Sequence, residues 1–169
     1  MDRGISSFYN LLLVLHIGAV VVGFGALFLA PLFDARARQA AGPVGLGIFR
    51  AMASVARIGE WLIYAVPILG ILAVVASDDT IDMGDGWVSV SFLLYIVAVG
   101  VYHGLVRRAG KQMDHLLADL ASAPPAPSGA RPPQVAELDG LVRQRAMGVA
   151  LIDVLVVVTL FLMVFKPGA

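Results

Sequence analysis

Cysteine is absent from this chain of 169 residues, and charged residues make up only 14% of it. The lack of cysteine excludes disulfide bonds, thiol catalysis and cysteine-ligated metal sites. The scarcity of charge excludes an ordinary soluble domain, because a soluble surface of this size needs far more polar side chains. The formal net charge is zero, and no glycine-rich phosphate loop or HExxH run is present. Nothing therefore supports a nucleic-acid partner.

Apolar residues dominate instead, at 59% of the chain with a mean hydropathy of +0.87. A helix needs about 20 apolar residues to span a bilayer, and four stretches reach that length. They cover approximately residues 8–33, 54–76, 87–106 and 146–165. The sequence therefore predicts a single domain over residues 1–169, an all-α integral membrane bundle of four helices whose main partner is the lipid bilayer.

The basic residues predict how the bundle is oriented. Ten of the twelve lie in the connections 34–53 and 107–145 or just inside the second span, at Arg57. Only Arg3 and Lys166 lie on the other side, together with the acidic loop SDDTIDMGDG. Because positive charge favours the cytoplasmic side, we expect both termini to lie outside. The N-terminal segment lacks a basic leader, which favours a retained first span. The preference for arginine over lysine, beside many alanines and glycines, suggests a GC-rich bacterial genome. Together with the apolar spans it leads us to expect a protein of a bacterial plasma membrane.

The third span continues into a charged helix. Residues 104–121, GLVRRAGKQMDHLLADLA, place their larger apolar side chains on one stripe, which predicts an amphipathic cytoplasmic extension after the third helix. The stripe consists of Leu105, Ala109, Met113, Leu116, Leu117 and Leu120. A proline-rich linker, SAPPAPSGARPP at 122–133, follows the extension. The amphipathic segment QVAELDGLVRQR then leads into the fourth span.

His16 is the one ionisable residue of the first span, LLLVLHIGAVVVGFGALFLAPLF. Small residues follow it on the same helix face, at Ala19, Gly23, Ala26 and Ala30. Small residues mark close helix contacts in membranes, so we expect His16 to point into the bundle, roughly 12 Å from the outer end. Tyr95 lies at a similar depth and Ser91 about one turn shallower. The imidazole is expected either to hydrogen-bond to Tyr95 or Ser91 or to bind a ligand.

A second group of polar residues is predicted to form a buried polar layer in the cytoplasmic half, and comprises Arg57, Glu60, His103 and Asp153. Arg57 and Glu60 are one turn apart and can pair. Asp153 lies well inside the fourth span, where a carboxylate is costly and is a functional candidate by default. It serves either as an interhelical hydrogen-bonding group or in proton transfer. His103 differs from His16 in depth by about 12 Å, which argues against both ligating one haem iron.

The first helix, LHIGAVVVGFGALFLAPLFDARA, resembles that of the HemJ-type protoporphyrinogen oxidases, which have a Leu-His-Ile core and a Leu-Pro-x-Leu-Phe exit. The third helix, GWVSVSFLLYIVAVGVYHGLVRR, is similar to theirs in its Gly-Trp start and its Tyr-His end before basic residues. The ending VFKPGA resembles their Val-Lys-Pro. The copper-resistance CopD-type membrane domains share the general plan. Over nearly its whole length the chain most resembles a bacterial membrane family, domain of unknown function 2269.

The resemblance implies that His16 ligates the iron of haem b. In the oxidases this histidine is paired with a lysine early in the third helix, and that position falls on Ser91. Because serine is not a useful haem ligand, the oxidase activity does not follow from the resemblance, and catalytic residues stay unassigned. Tyr95 would serve as a hydrogen-bond partner or as a phenolate ligand, or the haem would be five-coordinate on His16 alone.

The sequence thus leaves three functional hypotheses. The leading one is a membrane protein that binds haem b or a porphyrin through His16, with Tyr95 and Ser91 in the same site. The alternative is a non-catalytic subunit or scaffold that packs against a partner membrane protein or against a second copy. The third is proton or solute translocation through Glu60, His103 and Asp153.

Overall fold

The computed structural model describes residues 7–40, 42–77, 80–123 and 133–167. Every regular element in these ranges is helical. In chain order they are α1 (Ser7–Ala40), α2 (Gly42–Val75), α3 (Gly86–Val101), a π-helical turn (Tyr102–Arg107), α4 (Arg108–Ser122) and α5 (Pro133–Phe165). Most of the predicted proline-rich linker, residues 124–132, lies outside the described residues.

Four helices are long and apolar enough to cross a membrane: α1, α2, α3 continued through α4, and α5, with 34, 34, 37 and 33 residues. The prediction of an all-helical chain with four such helices is confirmed. Each helix is longer than its apolar stretch. Residues 34–53, predicted as a connection, are almost entirely helical, because α1 runs on to Ala40 and α2 begins at Gly42. The φ of +51° at Gly42 favours glycine and permits this tight reversal.

The hairpin of α1 and α2 is the most extensive helix pair of the molecule. Glycines bring the two backbones together, since a Cβ at Gly59 would lie 3.0 Å from the carbonyl oxygen of Gly23. A Cβ at Gly23 would lie 3.2 Å from the backbone nitrogen of Ile63. Close approach through small residues is typical of helix contacts in membranes. The predicted small-residue face of α1 is therefore its contact with α2.

The remaining helices leave one end of the bundle less tightly packed. α5 packs against α1, α3 and α4, and α4 packs against α2. α3 packs against α5 and has no comparable contact with α2. We call the end at which α1 and α3 begin and α2 and α5 end the open end, and the opposite end, with α4, the closed end. A space between helices is therefore expected in the open half.

Two apolar clusters fill the rest of the interior. The central cluster consists of Leu27, Ile63, Ala98, Tyr102, Val106, Val149 and Ile152. The closed-end cluster consists of Ala37, Phe49, Ala109, Met113, Leu117, Leu138 and Leu141. Many large apolar side chains point outward instead, among them Phe28, Trp61, Ile96 and Val157. An exposed apolar surface of this kind suits contact with lipid.

The predicted stripe of α4 is largely the buried face of that helix. Ala109, Met113 and Leu117 are fully buried, and Leu116 and Leu120 pack at the edge of the closed-end cluster. Leu105 differs, because it is 38% exposed. It lies in the π-helical turn, whose wider i→i+5 hydrogen-bonding pattern shifts the phase of the helix. The stripe therefore begins one turn later than a regular α-helix predicts.

Candidate functional site

A cavity of about 580 Å³ occupies the open half of the bundle. Its walls come from α1, α2, α3 and α5, and Ile81 of the α2–α3 loop closes part of one side. Most of the lining is apolar. The lining residues with polar atoms in their side chains are Tyr9, His16, Trp87, Ser91, Tyr95, Asp153, Thr159 and Lys166. A mainly apolar cavity of this volume with a few polar groups is typical of a small-molecule site.

His16 is held in the wall of this cavity by a main-chain group. Its side chain is buried, with 7% exposure, and Nδ1 lies 3.0 Å from the carbonyl oxygen of Val66 on α2. Because a carbonyl can only accept, Nδ1 carries the proton in this hydrogen bond. In the neutral imidazole Nε2 is then the unprotonated nitrogen, and it has no hydrogen-bond partner among the described residues. The structure thus leaves one ring nitrogen with a free lone pair.

Gly70 makes room for the imidazole of His16. A Cβ at position 70 would lie 3.1 Å from Cε1 and 3.4 Å from Nδ1 of the ring. Any larger residue would therefore press on the imidazole. Gly70 also lies one turn after Val66, so the absence of a side chain there leaves the Val66 carbonyl open to a donor from α1.

Tyr95 compensates for a hydrogen bond that Pro67 removes. A proline within a helix has no N–H for the carbonyl four residues earlier, which in α2 is the carbonyl of Ile63. The hydroxyl of Tyr95 on α3 donates to this oxygen at 3.2 Å. Tyr95 therefore ties α3 to α2 across the cavity, and its hydroxyl proton is used in doing so.

Ser91 is also buried in the cavity wall, with 5% exposure. Its hydroxyl donates to the carbonyl of Trp87 in its own helix at 2.7 Å. Neither Ser91 nor Tyr95 is the hydrogen-bond partner of His16, whose partner is Val66. The structure does bring His16, Ser91 and Tyr95 into the lining of one cavity.

Asp153 reaches the same cavity from α5. Its side chain is half-buried, and neither His103 nor an arginine pairs with it within the described part of the chain. Its position is near the inner limit of the cavity, 13 residues before Lys166, which corresponds to roughly 20 Å along the helix axis. Asp153 is therefore a carboxylate that faces whatever fills the cavity.

The other three predicted polar residues lie elsewhere, so the prediction of one buried layer needs correction. Glu60 is half-buried and forms an ion pair with Arg107 of the π-helical turn at 3.1 Å. Arg57, its predicted partner, is exposed. His103 is exposed as well, and its Nε2 lies 2.8 Å from the hydroxyl of Tyr64. Pairing across helices has replaced the predicted pairing within α2, because the π-helical turn brings Arg107 to Glu60.

A buried ion pair between Asp34 and Arg145 was not anticipated. The two side chains are 1% and 7% exposed, and Arg145 Nη1 donates to Asp34 Oδ1. Arg145 also lies over the ring of Phe49, 5.6 Å from its centroid. Asp34 and Arg145 lie at the ends of the predicted connections 34–53 and 107–145. The apolar residues that flank Asp34 and Arg145 indicate that α1 and α5 extend past the predicted spans and bury both side chains.

Metal-binding clusters of three or more His, Asp or Glu residues are absent from residues 7–40, 42–77, 80–123 and 133–167. A haem iron needs no such cluster, because the porphyrin supplies four of its ligands and the protein one or two. Comparison with family models, with curated proteins and with solved structures finds no match.

Proposed function

We propose that this chain is a multi-pass protein of a bacterial plasma membrane that binds haem b or a related porphyrin in the open-half cavity, with His16 Nε2 as the axial ligand. The observation that carries the proposal is the hydrogen bond from His16 Nδ1 to the Val66 carbonyl, which leaves Nε2 unprotonated at the cavity wall.

This hydrogen bond has the form found in metal-bound histidines. A ligating histidine almost always donates its other ring N–H to a carboxylate, a carbonyl or water, which fixes the tautomer and the ring orientation. Here the acceptor belongs to a helix backbone, and the missing side chain of Gly70 leaves room for the ring on the same side. The imidazole is therefore preorganised before any ligand binds.

The cavity lining fits an apolar macrocycle with one protein ligand. Burial of apolar ring surface against aliphatic and aromatic walls is favourable. Tyr95 and Ser91 both donate their hydroxyl protons to main-chain carbonyls, so neither is set up as a second ligand. Among these three residues, His16 alone would therefore hold the iron.

The proposed orientation places the cavity in the outer half of the membrane. Ten of the twelve basic residues belong to the sequence stretches 34–53 and 107–145 or lie at Arg57, and positive charge favours the cytoplasmic side. Helices α1, α2 and α4 carry most of these stretches to the closed end. The alternative of a non-catalytic scaffold explains the exposed apolar faces equally well, but a scaffold has no need of an internal cavity with a preorganised histidine.

Haem titration of the purified protein in detergent tests the proposal. The wild type is expected to bind a single haem per chain with a defined Soret band. His16→Ala is expected to lose at least about tenfold in affinity, as an axial ligand should. His115→Ala is the matched control, because His115 is an exposed histidine on α4. A featureless Soret region in the wild type, or equal binding by His16→Ala, would contradict the proposal.

A further inference from the structure

A lysine and a tryptophan meet at the open end of the cavity. Lys166 directly follows α5, and Trp87 is the second residue of α3. The ammonium nitrogen of Lys166 lies over the indole ring, 5.6 Å from its centroid. Both residues line the cavity. An ammonium group over an indole face is attracted by the ring quadrupole, so Trp87 holds the charge of Lys166 at the cavity mouth.

Trp87 also has a hydrogen-bond donor without an acceptor. Its Nε1 is buried and unpartnered in the structure, and the whole residue is 8% exposed. Buried tryptophan N–H groups normally find a partner, and an orphaned one calls for an explanation such as a missing ion or water. Trp87 Nε1 is therefore a donor near the cavity mouth for which the described residues supply no acceptor.

The charged side chains of the cavity lining differ between its mouth and its deep end. Lys166 is the only cation among the described lining residues, and no carboxylate in the described ranges lies within ion-pairing distance of it. The only carboxyl group among the lining residues that the structure describes is Asp153, roughly 20 Å deeper along α5. Asp82 and Asp85 of the α2–α3 loop lie at the same end of the bundle, but neither lines the cavity. An anionic group inside the cavity is therefore attracted to Lys166 at the mouth and has no cationic partner at the deep end.

We propose that the cavity binds an amphiphile that carries a carboxylate, with the apolar body inside the bundle and the carboxylate at Lys166 beside Trp87 Nε1. The inference rests on the proposed function only for the identity of the apolar body, since the propionate groups of a porphyrin are carboxylates. The recognition of the carboxylate is a property of the mouth and is tested without iron.

The test compares metal-free protoporphyrin IX with its dimethyl ester, by fluorescence titration in detergent. Omitting iron separates the mouth from the axial bond to His16. The wild type is expected to prefer the diacid, and Lys166→Gln is expected to lower that preference by roughly tenfold, the effect of losing one charge-assisted hydrogen bond. Lys166→Arg should keep most of the preference. Taking the ratio between variants cancels the different partitioning of acid and ester into micelles.

Two further variants serve as controls for the acid-over-ester preference. Trp87→Phe keeps an aromatic ring but removes the N–H together with part of the bicyclic ring, so it should weaken binding of the diacid by a few fold more than binding of the ester. Lys111→Gln is the matched control, because Lys111 is an exposed lysine on α4 at the closed end. An acid-over-ester preference that is equal in the wild type and Lys166→Gln would overturn the inference.

A second arm separates this inference from the porphyrin proposal. Cis-parinaric acid, a fluorescent fatty acid, is titrated beside its methyl ester. If neither haem nor protoporphyrin IX binds but the fatty acid binds with a preference that depends on Lys166, carboxylate recognition stands and the porphyrin proposal fails. If haem binds through His16 but no acid shows that dependence, the porphyrin proposal stands and this inference fails. If no carboxylate ligand binds at all, both fail.

Discussion

The imidazole of His16 on α1 donates from Nδ1 to the main-chain carbonyl of Val66 on α2, over 3.0 Å. The acceptor is a backbone atom, so its position depends on the course of α2 and not on a side-chain rotamer. The bond joins the two helices of the most extensive pair in the molecule. His16 is consequently held at the cavity wall by the packing of the hairpin itself.

Gly70→Ala should disturb this arrangement directly. The added methyl group would lie 3.1 Å from Cε1 of His16, so the ring must shift and haem affinity should fall. Overpacking of this kind typically costs about 1–3 kcal/mol of stability. Gly18→Ala is the matched control, because nothing lies within 4 Å of a Cβ there. That change should raise stability by about 0.5–1 kcal/mol, as alanine does in a helix, and leave haem binding intact. Equal haem affinities in the two variants would contradict the account.

Tyr95→Phe should leave the carbonyl of Ile63 without a donor. An unsatisfied buried acceptor costs about 1–3 kcal/mol. Pro67→Ala restores the N–H that the helix lacks, so the loss caused by Tyr95→Phe should be smaller in a Pro67→Ala background. A double-mutant cycle on the free energy of unfolding in mixed micelles measures this coupling. Strict additivity of the two changes would show that Tyr95 does not compensate for Pro67.

Arg145→Met should destabilise the bundle by about 3–5 kcal/mol, because it leaves the carboxylate of Asp34 buried without its cation. The double variant Asp34→Leu, Arg145→Met should recover most of that loss, since no uncompensated charge remains. Arg50→Gln breaks an exposed ion pair with Asp114 and is expected to have a much smaller effect. The same unfolding assay gives all three values. A double variant as unstable as Arg145→Met alone would contradict this interpretation.

Membrane orientation can be tested with single cysteines, because the chain has none of its own. Met83 lies in the α2–α3 loop at the open end and is 45% exposed, and Gln112 is exposed on α4. In spheroplasts, a membrane-impermeant maleimide should label Met83→Cys at once and Gln112→Cys only after lysis. The reverse pattern would place the cavity in the inner half of the membrane.

Helix content and the inward position of His16 could be predicted because both depend on patterns within one segment. Long apolar runs identify the four helices, and the small residues after His16 identify its buried face. The pairing of polar groups between helices could not be predicted in this way. Val66 contributes a main-chain oxygen, which carries no sequence signal, and Glu60 pairs with Arg107 rather than Arg57 because of a π-helical turn that no spacing rule anticipates.

Pro67 carries a sequence signal for one pairing between helices. A proline in an apolar helix releases the carbonyl four residues earlier, and a hydroxyl on a neighbouring helix is the natural donor for it. This reasoning points to Ile63 and to a partner such as Tyr95 from the sequence alone. The Asp34–Arg145 pair could not be predicted for a different reason. Both residues lie in predicted connections, 34–53 and 107–145, that are helical at these positions in the structure.

The most direct test of the central claim is the absorption spectrum of haem-reconstituted His16→Gly, recorded with and without added imidazole. If His16 Nε2 is the axial ligand, the variant should lose the Soret band of the wild type, and imidazole that enters the vacated space should restore it. A variant that binds haem with the wild-type spectrum and does not respond to imidazole would contradict the account.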